Sequence, residues 1–152
     1  DPPKAELVVV GGGPLQAELA EQAAATGVAD RVQLIGKLPA EDLKAVYADT
    51  GVVLVPSVFP ENFPTVAIEG LAAGRAIIGT AAGGTPELVR DGVNGLLVPP
   101  GDVDALAAAM DALAGDEARV RRMGEASAAM APAYSLEAFL DRLESHYRAI
   151  AR

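Results

Sequence analysis

Two carboxylates, Glu61 and Glu69, stand with seven residues between them in the segment Pro56-Ser57-Val58-Phe59-Pro60-Glu61-Asn62-Phe63-Pro64-Thr65-Val66-Ala67-Ile68-Glu69. The segment follows an apolar run that reads as a strand, and the carboxyl ends of strands are where open α/β sheets bind ligands. A helix comes next, with Pro64, Thr65 and Val66 expected in its first turn. The unpaired N–H groups at a helix start form an anion site, and the macrodipole favours a diphosphate there. Thr65 adds a hydroxyl donor. Glu69, four residues further, shares the helix face of Thr65 and reaches a group about one turn away. A carboxylate accepts two hydrogen bonds well from a vicinal diol such as ribose. Glu61, in the loop before the helix, approaches the far side of the phosphates, where a sugar would sit. An arbitrary pair of glutamates is more often a solvated loop charge and an exposed helical one. Here the strand, the loop, the proline at the helix start and both carboxylates agree.

The elements that must position these groups alternate in type. Short apolar runs at Leu7–Val10, Val32–Ile35, Val52–Val55, Ala76–Gly79 and Gly95–Val98 are separated by helical patterns, which predicts βα units and a parallel sheet. Several runs are apolar at consecutive positions, as expected when helices cover both faces. A helix follows Pro14, placed at its first helical position, and a short one covers Asp42–Ala48. The helix beginning at Pro64 runs to Ala73 and stops at Gly74, a natural C-terminal glycine. Thr85–Arg90 follows the paired Gly83 and Gly84. Beyond the last strand the pattern is wholly helical. Asp102 caps a helix to Ala114, ended by Gly115, and another spans Glu117–Met130 and stops near Pro132. Ser135 caps a final helix with Leu136, Phe139, Leu140, Leu143, Tyr147 and Ile150 on one stripe.

Composition narrows the classes. The 152 residues suit one domain, and with 51% hydrophobic residues, few aromatics and no Trp, the core must be aliphatic. The net charge of -9, with no run of Lys or Arg, argues against nucleic acid as a partner. With no Cys and one histidine, His146, disulfides, thiolate metal sites and a structural zinc site are not expected. No apolar run approaches the ~20 residues that cross a bilayer, and no signal peptide is visible, so the expectation is a soluble, cytoplasmic protein.

The Glu61–Glu69 pair resembles the paired-glutamate motif of glycosyltransferase family 4, the group 1 glycosyl transferases. Its surroundings resemble family segments as well: Val53-Leu54-Val55-Pro56-Ser57 before it and Glu69-Gly70-Leu71-Ala72-Ala73-Gly74-Arg75-Ala76-Ile77-Ile78 after it. So, in the right order, do Val10-Gly11-Gly12-Gly13-Pro14, Gly83-Gly84-Thr85-Pro86-Glu87-Leu88-Val89 and Asp91-Gly92-Val93-Asn94-Gly95-Leu96-Leu97-Val98. The resemblance implies an α/β fold, a Rossmann-like parallel sheet forming the C-terminal half of a GT-B fold, with extra C-terminal helices. It implies a retaining, metal-independent transfer of a sugar from a UDP-, GDP- or ADP-linked donor, with no other cofactor. It assigns Glu61 to the donor-sugar hydroxyls as the catalytic residue and Glu69 to the ribose. Phe63, Pro64, Thr65 and Val66 fall to the diphosphate. Lys37 and Leu38, in the loop after the second strand, lie beside the base.

Three departures accompany it. Pro64 replaces the family's common glycine and removes one amide donor, leaving Thr65 and Val66. Ala48-Asp49-Thr50-Gly51 stands where an acidic residue often precedes the strand, a structurally minor change. Residues 1–152 are expected to form a nucleotide-sugar-binding domain without its first strand–helix unit, the basic pair that clamps donor phosphates, or the N-terminal acceptor domain that would be its partner. The missing strand would sit between Leu7–Val10 and Val52–Val55, and the fragment alone should be inactive.

Two other functions fit parts of the pattern. A GT-B nucleotide-sugar epimerase shares a Gly-Gly-x-x-Glu turn like Gly83–Glu87 but does not call for the complete glutamate pair. A non-catalytic nucleotide-binding module is the second, although a receiver-like version should have acidic residues where Gly11-Gly12-Gly13 stands. The remaining features read structurally. The three glycines form a tight βα turn, with Gln16 where a dinucleotide fingerprint needs its third glycine. Glu87 complements a helix dipole, and His146, Arg119, Arg121 and Arg122 are surface residues.

Overall fold

A computed structural model describes residues 5–151. The chain divides into two compact units, Asp1–Val46 and Tyr47–Arg152, and the helix Ala40–Asp49 runs through the division.

In the first unit, β1 (Leu7–Val10) and β2 (Val32–Gly36) pair in parallel, with Leu7 opposite Val32 and Val9 opposite Leu34. Between them lie α1 (Gln16–Ala25) and one 3-10 turn, Ala29–Arg31. The Gly11 N–H donates to the Gly36 carbonyl at 2.7 Å, tying the glycine turn to the end of β2. Gly11 (φ 131) and Gly36 (φ 72) hold conformations that a side chain resists. Pro14 does not start α1 as the sequence suggested. It lies in a turn, and Leu15 is the N-cap. Helix α2 (Ala40–Asp49) is longer than Asp42–Ala48 because the Pro39 carbonyl already accepts from Asp42 and Leu43. No described residue of this unit is buried, so the doubly covered strands expected here are not seen within it.

The second unit holds a three-stranded parallel sheet in the order β3 (Val52–Val55), β4 (Ala76–Thr80), β5 (Gly95–Val98). Its registers pair Val53 with Ile77 and Ile78 with Leu96. All five residues of β4 are buried, as a central strand with helices on both faces requires. Alternation sorts the side chains. On one face Val53, Val55 and Ile77 meet Ala67, Leu71, Leu88 and Val89. On the other, Ala76, Ile78 and Val98 meet Ala109, Leu113 and Met123. Among the described residues β1 is laddered only to β2, and β3 only to β4.

Helix α3 (Thr65–Ala72) follows β3, and α4 (Thr85–Leu88) follows β4. Gly74, at φ 65, closes α3 as expected. α4 stops two residues before the predicted Arg90, because a buried asparagine claims its end. The Asn94 side chain accepts the Arg90 N–H at 2.7 Å and donates to the Leu88 carbonyl at 3.1 Å. Helices α5 (Val103–Ala114), α6 (Glu117–Met130) and α7 (Leu136–Ile150) complete the chain. Asp102, Asp116 and Ser135 cap them, each side chain accepting an N–H from the residue three positions on. The apolar stripe of α7 is exposed along its whole length, from Leu136 to Ile150. No described helix is long and apolar enough to cross a membrane.

Candidate functional site

β3 ends at Val55, and the chain turns through Pro56–Phe63 before α3 begins. That loop is fixed at three points. The Thr80 hydroxyl, at the end of β4, donates to the Ser57 carbonyl at 2.7 Å. The Ser57 hydroxyl donates to Oε1 of Glu61. The Gly84 N–H donates to the Glu61 carbonyl at 2.7 Å. The turn after β4 lies so close to this loop that a Cβ on Gly83 would overlap the Glu61 backbone, and one on Gly84 the Asn62 carbonyl. The glycine pair that sequence reading tied to a short helix therefore cradles the glutamate loop. Gly79 has a similar reason, since a Cβ there would sit 2.6 Å from the Thr85 methyl.

Pro64 is the N-cap of α3 (φ -67, ψ 110) rather than part of its first turn. Its carbonyl accepts the first helical bond, from Ala67 at 3.1 Å. Thr65 and Val66 thus present their N–H groups beyond the helix end with no acceptor among the described residues, and both residues are exposed. No side chain caps this terminus. Phe63 is also exposed, with its ring 6.1 Å from that of Tyr134. The Tyr134 hydroxyl donates to the Glu87 carbonyl at 2.7 Å, which links α4 to the segment after α6.

Glu69 lies one turn along α3, exposed, and its Oε2 accepts a hydrogen bond from the Tyr47 hydroxyl at 2.8 Å. Tyr47 is half-buried against the cluster of Val53, Val55 and Leu71. Burial first, then the bond to Glu69 and its negative charge, push the Tyr47 phenol above its ordinary value, so it stays a protonated donor.

Of the expected residues, Glu61, Phe63, Pro64, Thr65, Val66 and Glu69 belong to the second unit, on one loop and the helix it enters. Lys37, exposed, and Leu38, half-buried, belong to the first unit, between β2 and α2. Sequence reading missed Tyr47, Ser57, Thr80 and Tyr134. Ser57 stood beside the motif and could have been found from its spacing to Glu61. The other three meet the site only through tertiary packing. A hollow lined by Asp141, Glu144, Ser145, Arg148 and Ala149 on α7 contains none of these residues.

The family described as glycosyl transferases group 1 matches residues 1–130. The chain is 40% identical over 141 residues to a D-inositol 3-phosphate glycosyltransferase of Nocardia farcinica, covering 89% of this chain and 31% of that protein. Among solved structures it resembles sucrose-phosphate synthase from Thermosynechococcus elongatus, with a TM-score of 0.84 at 31% identity, covering 95% of this chain and 38% of that one. It also resembles the Anabaena protein HepE in complex with UDP, with a TM-score of 0.81 at 27% identity over 95% of this chain and 42% of that one. The chain thus spans about a third of the length of that inositol phosphate glycosyltransferase. With the parallel α/β fold and the family match over most of its length, the chain belongs to the group 1 glycosyl transferases.

Proposed function

We propose that this chain is the donor-binding domain of a retaining, metal-independent glycosyltransferase that moves a sugar from a nucleotide diphosphate sugar to an acceptor. The observation that carries this reading is the pair of carboxylates bracketing an open helix start. Glu61 is held before α3 by Ser57 and the Gly83-Gly84 turn, and Glu69 lies one turn inside it. A diphosphate at the tip of α3 would meet the Thr65 and Val66 amides, the Thr65 hydroxyl and the positive end of the helix dipole. Glu69 then faces the ribose and Glu61 the donor sugar. Lys37 and Leu38 complete the reading as contacts of the base. HepE, whose structure holds UDP, supports a nucleotide-linked donor, and the inositol phosphate glycosyltransferase supports glycosyl transfer.

Catalysis would rest on fixed dipoles. Negative charge grows on the departing nucleotide diphosphate, and amides already aimed at it stabilise it without reorganisation. An N-terminal acceptor domain and a basic phosphate clamp belong to the same proposal, as does a cytoplasmic site of action. The 152-residue chain by itself then transfers no sugar.

The test is a thermal-shift screen of the intact protein against UDP, GDP and ADP, followed by transfer assays with the corresponding sugars. One nucleotide should raise the melting temperature by mass action, and its sugar should be consumed only when an acceptor is present. Consumption without acceptor, yielding an isomerised donor, would replace transfer with epimerisation. Binding without turnover would make the protein a nucleotide-binding module.

A further inference from the structure

We propose that Tyr47 is a positioning residue that sets the ribose-binding carboxylate in place before the ligand arrives. It rests on the reading of Glu69 above. An exposed helical glutamate ordinarily samples several rotamers and surrenders that freedom when it binds. Glu69 is tethered instead. Its Oε2 accepts a hydrogen bond from the Tyr47 hydroxyl at 2.8 Å, and the half-buried Tyr47 packs against the core cluster that includes Val53, Val55 and Leu71. The tether crosses from α2 to α3, joining residues 22 apart in sequence. Only one carboxylate oxygen is engaged. Oε1 has no partner among the described residues and remains available to a ribose hydroxyl. A neutral phenol donor also leaves the carboxylate its full charge, which a lysine in the same place would offset.

A purely structural tyrosine would stabilise the helix pair without regard to the ligand's hydroxyls, and nucleotides that lack them separate the two roles. In the intact protein, binding of UDP, ADP and GDP is compared by calorimetry with that of their dideoxy counterparts, which lack both ribose hydroxyls. The variants are Tyr47→Phe, Glu69→Ala and the double variant. Tyr47→Phe keeps the ring packing and should melt within a few degrees of the parent. It should weaken the preferred ribonucleotide about three- to tenfold and leave its dideoxy counterpart unchanged. In the Glu69→Ala background the same change should have no further effect on the ratio of the two. If Tyr47→Phe weakens both nucleotides equally, or neither, the positioning role is overturned while the ribose reading stands. If Glu69→Ala leaves the ratio of the two nucleotides intact, the ribose reading fails and the positioning role with it.

Discussion

A carboxylate that meets ribose touches the nucleotide and the nucleotide sugar alike, whereas one that meets only the donor sugar is silent when the nucleotide binds alone. Glu69→Ala in the intact protein should therefore weaken both ligands by about 1.5–3 kcal/mol, the usual worth of hydrogen bonds to a charged group. Glu61→Ala should leave nucleotide affinity nearly unchanged while lowering turnover and blurring the choice of sugar. Calorimetry with the nucleotide, beside initial rates, measures both, and loss of nucleotide binding in a folded Glu61→Ala protein would reverse the assignment. Gly84 offers a sharper probe because it touches nothing chemical. Its φ of -83 suits any residue, so Gly84→Ala acts only through the overlap of its Cβ with the Asn62 carbonyl. The displaced Glu61 loop should cost on the order of 10²-fold in turnover, with a smaller change in nucleotide affinity, as expected when a positioned group moves by about 1 Å. Unchanged kinetics would show that the loop is not held by this turn.

The elements were largely legible because their signals are local. The runs Leu7–Val10, Val52–Val55 and Gly95–Val98 match the observed strands, and Asp102, Asp116 and Ser135 show why helix starts read well: one short acceptor satisfies an amide three residues on. Legibility failed where tertiary partners decide. Nothing near Arg90 announces that Asn94 will take its amide and cut α4 short. Nor does anything near Tyr47 announce a carboxylate on the next helix. Pro64 caps α3 instead of opening its first turn, a one-residue difference that proline's usual place at the first helical position conceals. The contrast between capped and open helix starts also makes a prediction. Asp102→Ala should lower stability by about 1 kcal/mol in urea unfolding, as the loss of a cap does, and leave nucleotide affinity alone, because the cap of α5 is purely structural. An affinity change would mean that α5 reaches the site.

For the molecule as a whole, burial is unevenly shared. Every described buried residue lies in the second unit, where β4 is closed from both faces; the first unit exposes Val8, Val10 and Ile35 on its strands. Hydrogen exchange on the 152-residue chain should follow that division. Amides of β1 and β2 should exchange through low-energy local opening, and those of β4 only with global unfolding. Equal protection of both sheets would show that the first unit is closed by contacts beyond its own strands. Sequence patterning could not foresee the difference, since Val8-Val9-Val10 and Val53-Leu54-Val55 are equally apolar. Hydrophobicity states what a strand would bury, while the cover must come from elsewhere in the fold.

The anchoring of Asn94 reaches beyond stability, into chemical ageing. Asn-Gly is the dipeptide in which the following amide most readily attacks the side-chain carbonyl, forming a succinimide and releasing ammonia. Here that carbonyl is occupied by the Arg90 N–H, the amide nitrogen by the Leu88 carbonyl, and Gly95 is locked into β5 against the Ile77 carbonyl. The folded chain thus shields this amide from cyclisation, and every excursion to the unfolded state exposes it. Deamidation at Asn94 would then accumulate as a record of how often the second unit has opened, leaving a negative charge where the fold has buried a neutral amide.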